Sequence, residues 1–439
     1  MPVLKFVGFF ALAAALVALV NVYVYRRCAR AFALERRGRA TVGVGLALGL
    51  VAMVGARAAE RTLDATLADW LGIGASAVEL AVLISCGLLL VVDAGRGVLA
   101  LGRGLSRVRA RRRAKLAART RAAASVDQRS PAQVPEPETA PETAPKTTPK
   151  TAPALDDAEA LARREFLTRA ATGSALALGG GAAFYGAFFG RHAYHTETVP
   201  IRIPGLPRTL DGFTIVQISD IHFGVHARGD EVKVASALIH RARPDLVVVT
   251  GDLIDHDLAF TPYLGQLLAR LTGAARHGIA VIPGNHDYYS GIDQVLATAR
   301  RAGATVLLNE GRVIGDAGGA FALLGVDDLW MRREGGGPDL ARAIAMVPRE
   351  LPRILLCHNP AFFPEAAPRV ALQLSGHTHG GQVNVGLGLA ELVLPYGYVA
   401  GRYERGDSQL YVNRGFGTAG PPARVGSAPE ITRIVLIAG

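Results

Sequence analysis

Cysteine is scarce. The three in 439 residues, Cys28, Cys86 and Cys357, are too scattered for a disulfide framework or a CxxC metal site, and each reads as a small hydrophobe rather than a reactive thiol. Charge is also sparse: 19% of residues are charged against 50% hydrophobic, and the mean hydropathy is +0.25. Membrane segments must therefore be sought. With 51 glycines and 24 prolines the chain has neither collagen-like nor wholly disordered composition. Acidic residues are few in the first quarter, where residues 1–121 hold 19 Lys+Arg against 6 Asp+Glu; the remainder holds 29 against 31. The net charge of +11 thus belongs to the first quarter. The downstream part lacks the basic surface that tracks nucleic-acid phosphates, so no nucleic-acid partner is expected. Histidine is missing before His192, and all 11 fall between His192 and His379.

Three long apolar runs occupy residues 1–121, at 6–25, 40–56 and 71–92. They predict about three membrane helices. The first lacks the short apolar core and cleavage site of a secretory signal, so it reads as uncleaved. Glu79 within the third is either a functional carboxylate or one facing a neighbouring helix or the interface. Arginine-rich loops follow runs one and three and read as cytoplasmic by the positive-inside rule. Residues 122–155 form a Pro-rich linker built on PEPETAPETAPKTTPKTAP. In residues 156–196, Arg163, Arg164, Phe166 and Leu167 precede an uncharged stretch at 170–190. This pattern reads as a twin-arginine-like signal engaging the export machinery, or as an ordinary fourth membrane helix. Either way residues 197–439 lie on the extracytoplasmic side of a multi-pass cell-membrane protein.

Residues 197–439 are nearly neutral, with 22 Lys+Arg against 23 Asp+Glu. Short β-rich runs alternate with amphipathic stretches, which predicts an α/β domain with a largely buried, mixed sheet. Four polar loops stand out, several of them just after strand-like runs: Ser219-Asp220-Ile221-His222, Gly251-Asp252-Leu253-Ile254-Asp255, Gly284-Asn285-His286-Asp287 and Gly376-His377-Thr378-His379. A lone His358-Asn359-Pro360 follows another such run. If DxH and HxH are extended, residues i and i+2 point the same way, so each pair aims two ligands into one pocket. Imidazole and carboxylate donors without thiolate suit Zn, Mn, Fe or Ni. Seven candidates exceed one tetrahedral ion and suit two ions sharing a carboxylate, the arrangement that clamps both oxygens of a phosphoryl displacement.

In order and spacing, these loops resemble the calcineurin-like metallophosphoesterase superfamily. The G-H-T-H-G-G-Q form and the ending Asn413-Arg414-Gly415-Phe416-Gly417 … Ala428-Pro429-Glu430-Ile431 look like its bacterial membrane-anchored branch. The resemblance implies a four-layer α/β/β/α sandwich with the site at the strand ends. It implies one divalent ion on Asp220, His222, Asp252 and His379, and a second on Asp252, Asn285, His358 and His377. It further implies that His286 serves the leaving oxygen as a general acid or charge stabiliser, oriented by Asp255; the resemblance leaves Asp287 open, and we read it as structural. Ala361 departs from the acidic residue relatives often carry after His-Asn-Pro.

The function expected is hydrolysis of a phosphodiester or phosphomonoester by metal-activated hydroxide. Helical anchoring raises a phospholipid, lipid-linked or envelope substrate, or simple localisation of the enzyme in the bilayer. A nuclease, a protein phosphatase and a non-catalytic membrane sensor or scaffold are the alternatives; the last would be marked by lost ligands, and none is lost.

Overall fold

No proline interrupts residues 3–130, so nothing in this Ala/Leu-rich region breaks a helix. In a computed structural model of the chain, which describes residues 2–59, 65–126, 154–316, 318–386 and 388–439, this region forms helices α1 (Pro2–Ala31), α2 (Arg36–Ala59) and α3 (Ala65–Val126). The apolar runs lie on them. Helix α4 (Ala154–Phe188) passes without a break through Arg163 and Arg164. Among the described residues one helical stretch, Asp69–Ala118, is long and apolar enough to cross a membrane by length and composition. The Pro-rich linker falls largely outside the described residues.

The chain divides into two compact units, one of Met1–Gly43 with Val82–Gly179, the other of Val44–Ala81 with Gly180–Gly439. In the first, Asp93 accepts hydrogen bonds from Tyr23 Oη at 2.9 Å and Arg27 Nη2 at 2.8 Å. In the second, Glu79 is buried, with Oε1 3.3 Å from where a Cβ on Gly49 of α2 would lie. It faces a neighbouring helix.

The rest of the second unit is built on two six-stranded sheets. Strands of the first are β1 (His195–Ile203), β2 (Thr214–Ile218), β3 (Leu246–Thr250), β4 (Ile279–Ile282), β5 (Thr305–Val306) and β12 (Glu430–Ala438), in the order β1-β12-β2-β3-β4-β5. Those of the second are β6 (Glu310–Asp316), β7 (Gly319–Gly325), β8 (Arg353–Leu356), β9 (Leu372–Ser375), β10 (Gly401–Arg405) and β11 (Ser408–Val412), in the order β10-β11-β9-β8-β7-β6. Strands β2 to β5 run parallel, as do β7, β8, β9 and β11. The central strands are apolar along their whole length, as parallel strands covered on both faces must be; every residue of Leu246–Thr250 is buried.

Between the sheets Ile215, Val248 and Ile282 meet Leu323, Leu356 and Leu374. Helices α5 (Gly229–Ala242), α6 (Thr261–Leu271) and α8 (Ile292–Arg301) cover the outer face of the first sheet with Val232, Leu264, Leu268 and Val295. Helices α9 (Leu340–Ala345) and α10 (Phe363–Ala366) cover the second with Leu340, Ala343 and Ala366. The result is the four-layer α/β/β/α sandwich, which leaves the carboxyl ends of β2, β3, β4, β8 and β9 free to carry loops. Short α7 (Asn285–Ser290) starts at one such end, and α11 (Leu389–Val393) lies beyond another.

Candidate metal centre

Each motif loop leaves the carboxyl end of a central strand: Asp220 and His222 after β2, Asp252 after β3, Asn285 after β4, His358 after β8, His377 and His379 after β9. Open α/β sheets place ligands at this end. The side chains gather in two groups. Asp220, His222 and His379 form one; Asp252, His358 and His377 form the other. His222 Nε2 and His379 Nε2 lie 3.1 Å apart, and His379 Nε2 is 3.4 Å from Asp220 Oδ1. In the second group His358 Nε2 stands 3.2 Å from both Asp252 Oδ2 and His377 Nδ1. Asp252 Oδ2 is also 3.6 Å from His222 Nε2, so one carboxylate oxygen reaches both groups.

These residues fit a pair of divalent ions. Two imidazole nitrogens in hydrogen-bond range need a proton or a cation between them. Asn285 Oδ1 is buried with no hydrogen-bond partner, a costly state unless a cation meets it. His358 Nδ1 faces the Thr250 carbonyl at 2.8 Å, which assigns the proton to Nδ1 and leaves Nε2 as the donor atom.

Extended DxH and HxH segments do not account for the geometry. Asp220, His222, Asp252, His377 and His379 all have left-handed backbones, with φ between 50 and 73°. Asp220 and His222 do meet in one group, through left-handed backbone at both, whereas His377 and His379 separate, one to each group. The loops are fixed from below by carboxylates. Asp220 accepts the His377 N–H at 2.9 Å, and Asp252 accepts that of His286 at 2.8 Å. Asp287, read as structural, accepts from Gly284 N and Leu253 N at 2.9 Å and from Ile254 N at 3.1 Å, tying two motif loops together. Burial and the Asp252 charge push Asp287 up to about 7, against the pull of those three N–H groups. Gly376 must be glycine because a Cβ there would strike Ser219 Oγ and Asp220 Oδ2.

Electrostatics divides the histidines. Burial, then the His358 charge, holds His377 down to about 3. Burial, His222 and Arg424 hold His379 well below its ordinary value. Both are therefore neutral, as ligation requires. Burial disfavours charge on His358 as well, but Asp252 and Asp220 outweigh it and raise that ring. Burial would likewise lower His286, yet Asp255 and Asp252 lift it to about 9. Its Nδ1 meets the Asp255 carbonyl at 3.0 Å and Asp255 Oδ1 at 3.5 Å, which leaves Nε2 for a substrate. Burial opposes the charge of Asp255, but the neighbouring imidazoles of His222, His256 and His286 outweigh it and hold this carboxyl far below the usual range.

Several neighbours were not foreseen as partners. His256 places Nδ1 2.8 Å from Asp255 Oδ2. Arg424, fully buried, brings Nη2 to 3.2 Å from His379 Nδ1. Asp328 is buried with Oδ2 unpartnered, and burial raises its carboxyl against the pull of the His358 charge. Trp330 packs edge-on against His377 at 5.1 Å. Tyr288 Oη donates to Asp327 at 2.5 Å.

The model of the calcineurin-like phosphoesterase family matches residues 213–381, which carry all seven candidate ligands together with Asp255 and His286. The metallophosphoesterase YkuE of Bacillus subtilis is 35% identical over 292 residues, covering 63% of this chain and 98% of its own. A metallophosphoesterase of Aquifex aeolicus is 35% identical over 252 residues, covering 55% and 91%. A zebrafish (Danio rerio) protein named transmembrane protein with metallophosphoesterase domain is 34% identical over 254 residues, covering 54% of this chain and 56% of its own. The chain belongs to the calcineurin-like metallophosphoesterases. It is accordingly a hydrolase of phosphoric ester bonds, of a family that uses divalent metal ions.

Proposed function

We propose that this chain is a membrane-anchored, outward-facing dinuclear phosphoesterase that cleaves phosphodiester or phosphomonoester bonds, on a phospholipid or another lipid-linked or envelope substrate. The observation that carries the dinuclear reading is the position of Asp252 Oδ2 between the two groups of donors. Asp220, His222, Asp252 and His379 would hold one ion, and Asp252, Asn285, His358 and His377 the other. Two divalent ions (Mn, Zn, Fe or Ni) would supply Lewis acidity and a nucleophile at neutral pH.

The protein's own work is positioning and proton supply. His286, protonated at neutral pH and fixed through Nδ1, offers Nε2–H to the leaving oxygen. Asp255 keeps that proton in place. The arginine-rich loops flanking the apolar runs, and the Arg163–Arg164 pair ahead of 170–190, support a cytoplasmic placement of the basic segments and an outward catalytic domain. The Asp69–Ala118 stretch supports anchoring.

The test is hydrolysis of chromogenic phosphodiester and phosphomonoester by the purified Mn2+-loaded chain, with Asp252→Asn as control. Expected are two ions per chain and turnover, both lost in the variant. Two bound ions with no turnover of either ester would overturn the catalytic reading. A reporter fused after Gly439 that is active only in the cytoplasm would overturn the orientation.

A further inference from the structure

Among the described residues, Val393 (82% exposed) and Leu392 (81%) are the most exposed large apolar side chains. They share an excursion over residues 382–399 with exposed Val385 and Tyr396. Glu391 is its single charged residue. Both ends of the excursion are tied to the metal ligands. Gln382 N donates to the His379 carbonyl at 2.9 Å, and Thr378 Oγ1, between His377 and His379, donates to the Val399 carbonyl at 2.5 Å. Surface excursions are ordinarily polar, and an apolar one with a fixed base marks an interaction site.

The same excursion is continuous with the end of α4. Asn384 N donates to Val425 O at 2.8 Å, Val425 N to Gln382 O at 2.9 Å, and Arg424 N to Gly186 O of α4 at 3.0 Å. That end of α4 carries exposed Phe184, Tyr185 and Phe189, and Phe188 stacks on exposed Trp70 at 6.3 Å. Exposed aromatics clustered at helix ends are the signature of the boundary between water and bilayer. Hydrogen bonds therefore join an aromatic helix foot, an apolar excursion and a metal-ligand loop.

We propose that the 382–399 excursion docks into the bilayer interface from which α4 emerges, and that it sets the His377–His379 loop against the headgroup layer. The ester delivered to the site is then the phosphate of a membrane lipid, taken in the plane of the membrane. This rests on the anchored phosphoesterase reading and deepens it.

The full chain in nanodiscs of phosphatidylethanolamine and phosphatidylglycerol provides the test. Because Cys28, Cys86 and Cys357 are buried, an environment-sensitive fluorophore can be attached at Leu392→Cys. Leu90→Cys, on the apolar helix, serves as the bilayer reference, and exposed Glu350→Cys as the water reference. A lipid-borne quencher should remove about half or more of the emission at 392 and at 90, and leave 350 unchanged. Emission at 392 that follows 350 while 90 is quenched overturns the docking and spares the anchoring. So does a label at 392 shielded from water-borne and lipid-borne quenchers alike, which would mean that a second copy or a protein covers the excursion. An unquenched label at 90 overturns the anchoring itself. Adding Val393→Asp and Tyr396→Asp should abolish quenching at 392 while metal content and turnover of a water-soluble chromogenic ester stay within about twofold; undiminished quenching would overturn the apolar basis of the contact.

Discussion

Replacing Asp255 by asparagine tests how the site keeps a proton on His286. The ring is lifted from its ordinary 6.5 to about 9, equivalent to about 3 kcal/mol in favour of the charged form. A carboxylate oxygen at 3.5 Å contributes about 5 kcal/mol at an effective dielectric of about 20, so Asp255 alone can outweigh the burial that opposes charge. In Asp255→Asn the carbonyl of residue 255 still receives Nδ1–H, so the ring stays in place and loses only its charge partner. The alkaline limb of the pH profile of kcat should then move from about 9 to below 7. At pH 8 activity falls more than about tenfold, and at pH 6 by a smaller factor. The same shift has a sign in stability. A raised histidine stabilises the fold fully below its unfolded value of about 6.5, and that contribution is lost as pH rises through about 9. Wild type should therefore lose up to about 3 kcal/mol over this window, and the variant much less. The assay is a full pH–rate profile alongside chemical denaturation at pH 6 and pH 9.5. An alkaline limb that stays near 9, or an equal loss at every pH, would refute the assignment.

Other perturbations separate architecture from chemistry. Gly376→Ala should displace Asp220 and lower the metal content by one ion per chain, measured by elemental analysis. Arg414→Met removes the cation whose Nη1 bonds Glu197 at 2.6 Å and the fully buried Glu430. Because an uncompensated buried carboxylate costs about 3–5 kcal/mol, calorimetry should record a fall in Tm of about 10 °C, with turnover per metal-loaded molecule unchanged. Chelator-stripped protein should be inactive and regain turnover with Mn2+; activity that survives stripping would count against a metal-dependent step. Metal titration should release about one proton per chain near neutral pH, because His358 is held protonated until its Nε2 binds; calorimetry in two buffers of different ionisation enthalpy measures it.

The motifs ending β2, β3, β4 and β8 were legible because each couples a continuous apolar run to a short polar loop. Both sheets' central strands, the three covering helices and the convergence of seven ligand types follow from that pattern. Strands β1, β6, β9 and β10 were not. Edge strands β6 and β10 are largely exposed, and β9 hides Gln373 and Ser375 by bonding them to each other at 3.0 Å, so a buried strand reads as a polar one. Local conformation at the ligands was also illegible, since nothing in Asp-Ile-His or His-Thr-His announces a left-handed backbone. Arg424 was missed because its partner His379 lies 45 residues away. His256 adjoins Asp255 in sequence, but only the fold closes the ring of imidazoles around that carboxylate.

The five left-handed ligands have a consequence for selection. Each non-glycine residue held in that region carries strain of about 1–2 kcal/mol, and glycine at the same position would relieve it. Because Asp220 and Asp252 also hold loop N–H groups, a screen rewarding heat resistance alone would accumulate glycines first at positions 222, 377 and 379 and return sturdier, inert proteins. Aspartate and histidine at these positions set ligand chemistry against the chain's own stability.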